Sequence, residues 1–361
     1  MKSDIVLACG GTGGHINPAL AVAEVLKETG LNLALIVSGT RSAEAGVIQS
    51  WEGPLLKSGA RPMKYFFHNI RAFFRCRRFL KKTRPAVLFA TGGYTSFAPV
   101  AAARTLGIPV VFHEANSLVG EAVRMLSKVF SIDTVALTFE ASKSQLPSKV
   151  KTVTTGLPLR RSVLEALARA RQAKQASDTL RIFVTGGSQG AHGMNMLVAP
   201  VLASLAASDP KVTILHQCGA NDVSAMEAIY APVKDQVSVQ AFVNDMGSAY
   251  GQADLVIARA GAATCFEIVA CATPAIFIPL PTAKDDHQRK NAESIAQQGG
   301  AIVVNQTTAT TQSFADVLRP IYQDRALLVA MQAALQRMTL PDAATHVAQL
   351  LTAIVKRDSK K

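Results

Sequence analysis

The chain has little charge, little cysteine and no long hydrophobic run. Only 17% of its 361 residues are charged and 49% are hydrophobic, so disorder is excluded as the dominant state. Cys9, Cys76, Cys218, Cys265 and Cys271 form an odd set with no CxxC pair. That argues against a disulfide framework or a zinc cluster and for small buried apolar groups in a reducing compartment. No apolar stretch reaches the ~18–20 residues needed to cross a bilayer. The opening strand-like run, Asp4 to Ala8, passes straight into glycines with no basic n-region before it, so a soluble, cytoplasmic protein is expected.

Acid is in deficit as well. Lys and Arg number 38 against 25 Asp and Glu, a net charge of +13. The natural partners are therefore anionic: nucleic acid, nucleotide phosphates or an acidic bilayer. Composition does not choose among them. The length favours two domains, since single cores stop growing at roughly 250–300 residues.

Short, continuously apolar runs recur between helical patterns: 31–37, 86–90, 109–113, 134–137, 180–185, 212–216, 237–241, 255–258 and 275–279. Strands covered on both faces read this way, so the predicted class is α/β with parallel sheets. Each half opens alike, with a strand feeding glycines and then a helix. The seam is placed at Thr154 to Ser162, where Gly156, Pro158 and Arg160-Arg161 break the pattern. A helix is expected over 164–176 and another over 343–355.

A glycine turn between strand and helix suits anions, because its N–H groups are open to approach and the helix dipole is positive there. Four such turns occur: Gly10 to Gly14, Thr91 to Ser96, Gly186 to Gly190 and Arg259 to Thr264. Spread over two sheets, they imply a cleft between domains. The dinucleotide fingerprint is incomplete, since no third glycine follows Gly13 at the right spacing and the second strand ends Val37-Ser38-Gly39-Thr40 without an acid. Hydride chemistry fits poorly, and no G-x-x-x-x-G-K-[ST] P-loop is present.

Several longer motifs stand in a fixed order: Gly10 to Ala21 (GGTGGHINPALA), Thr91-Gly92-Gly93-Tyr94, His113-Glu114-Ala115-Asn116, Gly186 to Ala191 (GGSQGA), Arg259-Ala260-Gly261-Ala262 and Asp286 to Ala292 (DHQRKNA). From about residue 5 to 295 the chain resembles the MurG family, the peptidoglycan N-acetylglucosaminyltransferases that make lipid II. The resemblance implies a GT-B fold of two Rossmann-like parallel-sheet domains facing an interdomain cleft. Residues 1–157, joined by the C-terminal helix 341–361, would take the acceptor lipid I and meet the membrane. Residues 158–340 would bind UDP-GlcNAc. The implied reaction is inverting transfer of GlcNAc to the C4 hydroxyl of MurNAc, with no cofactor and no metal. Asp285-Asp286 has the wrong spacing for a DxD metal site and reads as solvated carboxylates.

Such a displacement needs a base for the hydroxyl and a stabiliser for the departing diphosphate. His15, on a loop at the carboxyl end of the first strand and with an ordinary pKa near ~6.5, is assigned as the base by the resemblance. By the same resemblance, UDP-GlcNAc would meet Thr12, Gly13, Gly14, Asn116, Arg160, Ser188, Gln189, Gly190, Val243, Arg259, Thr264, Glu267, Gln288 and Asn291. Ser188 to Gly190 and Arg160 would face the phosphates, Val243 the uracil through its backbone, Glu267 the ribose diol, and Gln288 with Asn291 behind it the amino sugar. Arg259 would pack beneath the nucleotide loop. A carboxylate suits a vicinal diol because it offers acceptors and no donor. Gly92, Gly93, Tyr94 and Thr95 would cradle the acceptor diphosphate. Leu157 and Ala115 depart from the family's Asn and Gln and remove a polar contact each.

Between Lys64 and Arg84 stand eight basic residues and no acidic one. On a helix, Phe66, Ile70, Phe73, Phe74 and Leu80 group on one side, and Arg71, Arg75, Arg78 and Lys82 step along another. This is the pattern of a helix lying in an anionic membrane interface. Phenylalanines apart from the arginines do not make a stacking platform, so nucleic acid is not expected. The expected location is the cytoplasmic face of the bacterial cell membrane, with other cell-wall synthesis proteins left open as partners. The rival readings are a UDP-GlcNAc 2-epimerase-like isomerase on the same scaffold and a membrane-recruited nucleotide-sugar sensor without catalysis.

Overall fold

A computed structural model describes the chain apart from residues 1, 12, 41–43, 63, 64, 131, 174–177, 188, 189, 339–341 and 359–361, and apart from the side chains of Phe66, Arg171, Ala173 and Lys284. It divides into two compact units, residues 1–161 with 341–361, and residues 162–340. Each is a parallel α/β layer structure, so the predicted class holds.

The first unit carries seven strands: β1 (Ile5–Ala8), β2 (Leu33–Val37), β3 (Leu55–Lys57), β4 (Val87–Ala90), β5 (Val110–Glu114), β6 (Thr134–Leu137) and β7 (Thr152–Thr154). They lie in the order β3-β2-β1-β4-β5-β6-β7. β1 is central, and Ile5 pairs with Leu33 on one side and Val87 on the other. Every residue of β1, β2 and β4 is buried, which is why these strands read as unbroken apolar runs. β3 and β7 are edge strands of three residues, half-exposed, and no such run announces them.

The second unit carries β8 (Leu180–Thr185), β9 (Val212–Gln217), β10 (Val237–Gln240), β11 (Leu255–Ala258), β12 (Ala275–Phe277) and β13 (Ala301–Val303), ordered β10-β9-β8-β11-β12-β13. Both sheets reverse direction of winding beside their first strand, so the carboxyl ends of β1 and β4, and of β8 and β11, form the switch points where ligands of open sheets collect. The five cysteines are free and buried.

The last helix, Ala343–Asp358, returns to the first unit. Val347, Ala348, Leu351 and Val355 enter the same apolar cluster as Ile16, Val22 and Leu26 of the helix Gly13–Glu28. Fully burying an aliphatic side chain stabilises by about 1.5–3 kcal/mol, so the helix that follows β1 is held from both of its sides.

The basic stretch forms the helix Phe66–Thr83, and one detail of its expected face is corrected. Leu80, grouped from sequence with the phenylalanines, is 1% exposed and packs in the core with Ala72 and Cys76. Phe73 and Phe79 pack partly against that core. The outward apolar groups are Phe67, Ile70 and Phe74, of which Phe67 is 78% exposed. A 3.6-residue period lets two apolar stripes share one helix, and the sequence alone does not say which stripe the sheet takes. Among the described residues no helix is long and apolar enough to cross a membrane.

Candidate functional site

In the first unit, two glycine turns meet around one imidazole. The Gly10–Gly14 turn leaves β1 and the Thr91–Tyr94 turn leaves β4, the strand that pairs with it. Thr95 Oγ1 donates to Gly10 O at 3.5 Å. His15, half-buried in the first turn of its helix, lies against Gly93: a Cβ there would stand 3.2 Å from His15 Cε1. Gly93 also has φ +72°, the left-handed region. Only glycine combines that backbone with room for the ring. His15, Gly92, Gly93, Tyr94 and Thr95 are thus brought together, and Gly13 and Gly14 are exposed at the head of the helix beside them. Thr91 Oγ1 is buried with no hydrogen-bond partner among the described residues. Thr12 lies outside the described residues.

The first turn already holds an anion of its own. Glu44, fully buried, accepts from Gly11 N at 2.9 Å and from Ser38 Oγ at 2.7 Å on Oε1, and from Gly39 N at 2.6 Å on Oε2. The acid absent from the end of β2 is therefore supplied seven residues later, by Glu44. Its acceptors are spent on the protein's own amides. The expectation that the whole Gly10–Gly14 turn is open to phosphate is corrected accordingly: the Gly11 amide is taken, and the amides of Gly13 and Gly14 lie at the helix N-terminus where the dipole favours anions.

Behind His15 lie His113 and Glu114 at the end of β5. His113 is wholly buried, its Nε2 3.2 Å from Gly156 O and 3.2 Å from Thr138 Oγ1. Burial pushes its pKa down to about 4, with the nearby His15 acting in the same direction and the Gly156 contact opposing. Glu114 accepts from Asn116 N at 3.0 Å and Gly120 N at 2.8 Å. Burial raises its pKa to about 7 against those hydrogen bonds. The His113–Asn116 motif is thus a strand-end brace: its carboxyl shapes the loop that carries Asn116, whose side chain is half-exposed. Ala115 and Leu157, the two departures from the family pattern, are both buried.

Arg160 is held in the same unit. Its Nε donates to Glu24 Oε1 at 2.8 Å, while Arg161 pairs with Glu28 at 2.6 Å. Both partners lie on the helix Gly13–Glu28. Partly exposed pairs of this kind contribute little net stability, typically about 0–1 kcal/mol, so Arg160 is readily available to a stronger anion.

In the second unit the remaining candidates follow the carboxyl ends of β8, β10, β11 and β12. Arg259 is 8% exposed, and its Nη1 donates to Ile278 O at 2.8 Å and Pro279 O at 3.0 Å. Burial lowers its pKa to about 10, and its Nε has no hydrogen-bond partner among the described residues. Gln288 Oε1 accepts from Leu280 N at 3.0 Å and Ala260 N at 3.3 Å, which leaves its amide nitrogen as the end that can meet a ligand. Asn291, wholly buried, donates to Ala260 O at 3.2 Å. Arg259, Gln288 and Asn291 therefore lock three loop segments to one another. The Asn291 side chain serves the loop and stands away from solvent.

Glu267, half-buried, hydrogen-bonds the Tyr250 hydroxyl; burial raises its pKa, and that bond opposes the rise. Tyr250 is buried against Phe183 with ring centroids 5.3 Å apart, and it also hydrogen-bonds Thr264. Thr264 and Glu267 lie one turn apart on the helix Ala262–Cys271, so a single tyrosine orients both. Val243 is 6% exposed, while Phe242 beside it is 54% exposed. Gly190 closes the third glycine turn with φ +74°. Ser188 and Gln189 lie outside the described residues. Among the described residues no group of three His, Cys, Asp or Glu could hold a metal.

Sequence reasoning found the glycine turns and His15 through their motifs. It missed Glu44, Tyr250 and Phe67. Glu44 sits outside any local pattern, and Tyr250 resembles an ordinary core aromatic.

Two doubly wound sheets, each with glycine turns at its switch point, define the class of α/β proteins that hold phosphorylated ligands at their strand ends. The profile described as the glycosyltransferase family 28 N-terminal domain matches residues 5–131, and the one described as the glycosyltransferase family 28 C-terminal domain matches residues 181–347. The chain is 35% identical over 98% of its length to the UDP-N-acetylglucosamine–N-acetylmuramyl-(pentapeptide) pyrophosphoryl-undecaprenol N-acetylglucosamine transferase of Geobacter sulfurreducens, covering 99% of that protein. It is 34% identical to the enzyme of the same name in Acinetobacter baumannii, with 96% of each covered. The crystal structure of Acinetobacter baumannii MurG superposes with a TM-score of 0.81 at 31% identity, covering 97% of this chain and 99% of that one. A UDP-GlcNAc 2-epimerase from Neisseria meningitidis superposes at 0.73 with 15% identity, covering 98% and 100%, a likeness of fold alone. The chain belongs to glycosyltransferase family 28, in its MurG branch.

Proposed function

We propose that this chain transfers GlcNAc from UDP-GlcNAc to the C4 hydroxyl of MurNAc in undecaprenyl-pyrophosphoryl-MurNAc-pentapeptide, giving lipid II and UDP with inversion. The observation that carries the reading is the setting of His15, an imidazole seated on the Gly92–Gly93 turn at a switch point, in a chain that aligns end to end with transferases of that name. His15 takes the proton of the attacking hydroxyl as its oxygen bonds to C1 of GlcNAc. The C1–O bond to the diphosphate breaks on the opposite face, so the configuration at C1 inverts. Negative charge then builds on UDP. The amides at the head of the helix His192–Ser208 and the permanent charge of Arg160 meet that charge without a metal. Glu267 takes the ribose diol, the Val243 backbone the uracil, and the Gln288 amide nitrogen the amino sugar. The exposed amides of Gly13 and Gly14 add to the donor contacts, and the Gly92–Thr95 turn takes the acceptor diphosphate.

The polyprenyl end of the acceptor requires a membrane surface. Ile70 and Phe74 stand exposed around one apolar hollow with Met125 and Val129, Phe67 is exposed on the same helix, and so are Arg71, Arg75, Arg78 and Lys82. This face would rest on the anionic cytoplasmic leaflet, each cation contributing about 1 kcal/mol. The test is radiolabelled UDP-GlcNAc with a lipid I analogue in anionic vesicles, reading UDP release and lipid-linked disaccharide together. Equal yields of both support transfer. UDP without disaccharide would mean hydrolysis, and a changed sugar from UDP-GlcNAc alone would mean an epimerase.

A further inference from the structure

We infer that Gln145 is a positioning residue for Asn116, holding from outside every motif the loop that presents this side chain to the donor. The inference rests on the reading of Asn116 as a UDP-GlcNAc contact and adds the group that sets its place.

The loop 115–120 joins β5 to the helix Glu121–Val129. Buried backbone groups need partners, and in this loop side chains supply them. Glu114, at its start, accepts from the N–H groups of Asn116 and Gly120, and its carboxyl also hydrogen-bonds the Asn116 side chain. The middle of the loop is held from a different segment, the short helix Glu140–Gln145 that follows β6. Gln145 Oε1 accepts from Val119 N at 2.9 Å, and Gln145 Nε2 donates to Ser117 O at 2.9 Å. Both ends of one amide are thus spent on backbone groups two residues apart in the same loop. A carboxylate there could make only the first bond and an ammonium only the second. Three residues before Gln145, the buried Ser142 donates from Oγ to Asn116 O at 3.0 Å.

The short helix is itself anchored. Gln145 Nε2 also reaches Ala141 O at 3.3 Å, and the Thr154 hydroxyl of β7 donates to Glu140. Leu146, which follows the helix, packs in the same apolar cluster as Val119. Asn116 is therefore fixed at its N–H by Glu114 and at its carbonyl by Ser142, and the residues after it are fixed by Gln145. A side chain placed before its ligand arrives has less ordering to lose on binding.

The experiment measures kcat/KM for UDP-GlcNAc, with a lipid I analogue as acceptor, in the full chain and in Asn116→Ala, Gln145→Ala, Gln145→Met and the double variant Asn116→Ala/Gln145→Ala. Thermal unfolding of each sets an assay temperature at which all are folded. Loss of one hydrogen bond to the sugar nucleotide should lower kcat/KM about tenfold in Asn116→Ala. Gln145→Ala should lower it about fivefold through a looser loop. Gln145→Met, which keeps the length of the side chain and removes both hydrogen bonds, should lose as much as Gln145→Ala. The double variant should be no slower than Asn116→Ala alone, because the brace acts through a side chain already removed. Unchanged kcat/KM in Gln145→Ala or in Gln145→Met, or a Gln145→Ala loss that recurs in full on top of Asn116→Ala, overturns the inference while leaving Asn116 as a donor contact. Unchanged kcat/KM in Asn116→Ala overturns the reading of Asn116 itself.

Discussion

The Gly11 amide donates to Glu44 Oε1 at 2.9 Å, so the turn that carries His15 is closed by a carboxylate from outside it. The same side chain takes Ser38 Oγ and Gly39 N, tying the ends of β1 and β2. A Cβ at Gly10 would come within 2.5 Å of Oε1, which shows how closely the carboxylate is packed. Glu44→Ala leaves two amides and a hydroxyl unmatched in the interior and should cost about 2–4 kcal/mol of stability. The turn loosens as well, so turnover should fall at least tenfold while UDP affinity, which the proposed function draws mainly from the second unit, should stay within twofold. Thermal unfolding, steady-state kinetics and calorimetry on one variant check all three. Loss of UDP binding equal to the loss of turnover would refute a role confined to the His15 turn.

His15 itself makes a sharper prediction. General-base catalysis contributes typically 10²–10⁴-fold, so His15→Ala should lose that much in kcat while still binding UDP-GlcNAc. Gly93→Ala tests the seat and not the group. The new Cβ meets Cε1 at 3.2 Å and must adopt φ +72°, a left-handed strain of roughly 1–2 kcal/mol. Its kcat should fall with the ring chemically intact. A Gly93→Ala enzyme with normal kcat would mean that the ring's position against this turn is irrelevant to turnover.

These two residues show what was readable in the chain and what was not. His15 stands inside a glycine motif next to a fully buried strand, and both signals are local. Glu44 is invisible because its partners lie on two other segments and because it stands beyond the end of β2, where a fingerprint search stops. The strands missed, β3, β7 and β13, are three-residue edges whose partial exposure erases the continuous apolar run. Leu80 lies on the core side, not the outer one, for a related reason: both apolar stripes of the basic helix satisfy helical spacing, and only packing against Ala72 and Cys76 decides which one is core.

Stability should depend on pH through three buried groups that oppose one another. His113 and His216, each lowered from 6.5 to about 4, bind protons in the unfolded chain first, so folding stability is lost as pH falls from 6.5 toward 4. Glu114, raised from 4.5 to about 7, keeps its proton in the folded chain, so its contribution is lost as pH rises from 4.5 to 7. Between pH 4.5 and 6.5 the unfolded chain therefore holds about two protons on these groups and the folded chain about one. The net slope from these groups is about +1.4 kcal/mol per pH unit. Glu114→Gln removes the opposing proton and should steepen the slope to about twice that. Denaturant unfolding of both proteins at pH 5, 5.5 and 6 measures it. A flatter slope in the variant would contradict the buried, protonated state of Glu114.

The exposed stripe of the basic helix separates membrane contact from folding. Phe67 and Phe74 are 78% and 62% exposed, so replacing both with Ser removes little buried area and should leave the unfolding temperature within about 2 °C, since surface changes stay within ~0.5 kcal/mol. Binding to anionic vesicles should drop at least tenfold, because two aromatic groups no longer enter the interface. Changing Arg71, Arg75 and Arg78 to Glu should abolish the same binding by reversing charge. The wild type should also bind less as salt rises, because each cation acts within a Debye length of the surface. Leu80→Ser supplies the contrast. It lies in the core, so it should destabilise by roughly 2–5 kcal/mol and leave vesicle binding of the folded fraction unchanged. Vesicle binding retained in both the Phe67/Phe74 and the arginine variants would place the membrane contact elsewhere. Binding lost only with Leu80→Ser would mean that the buried stripe, and not the exposed one, makes the contact.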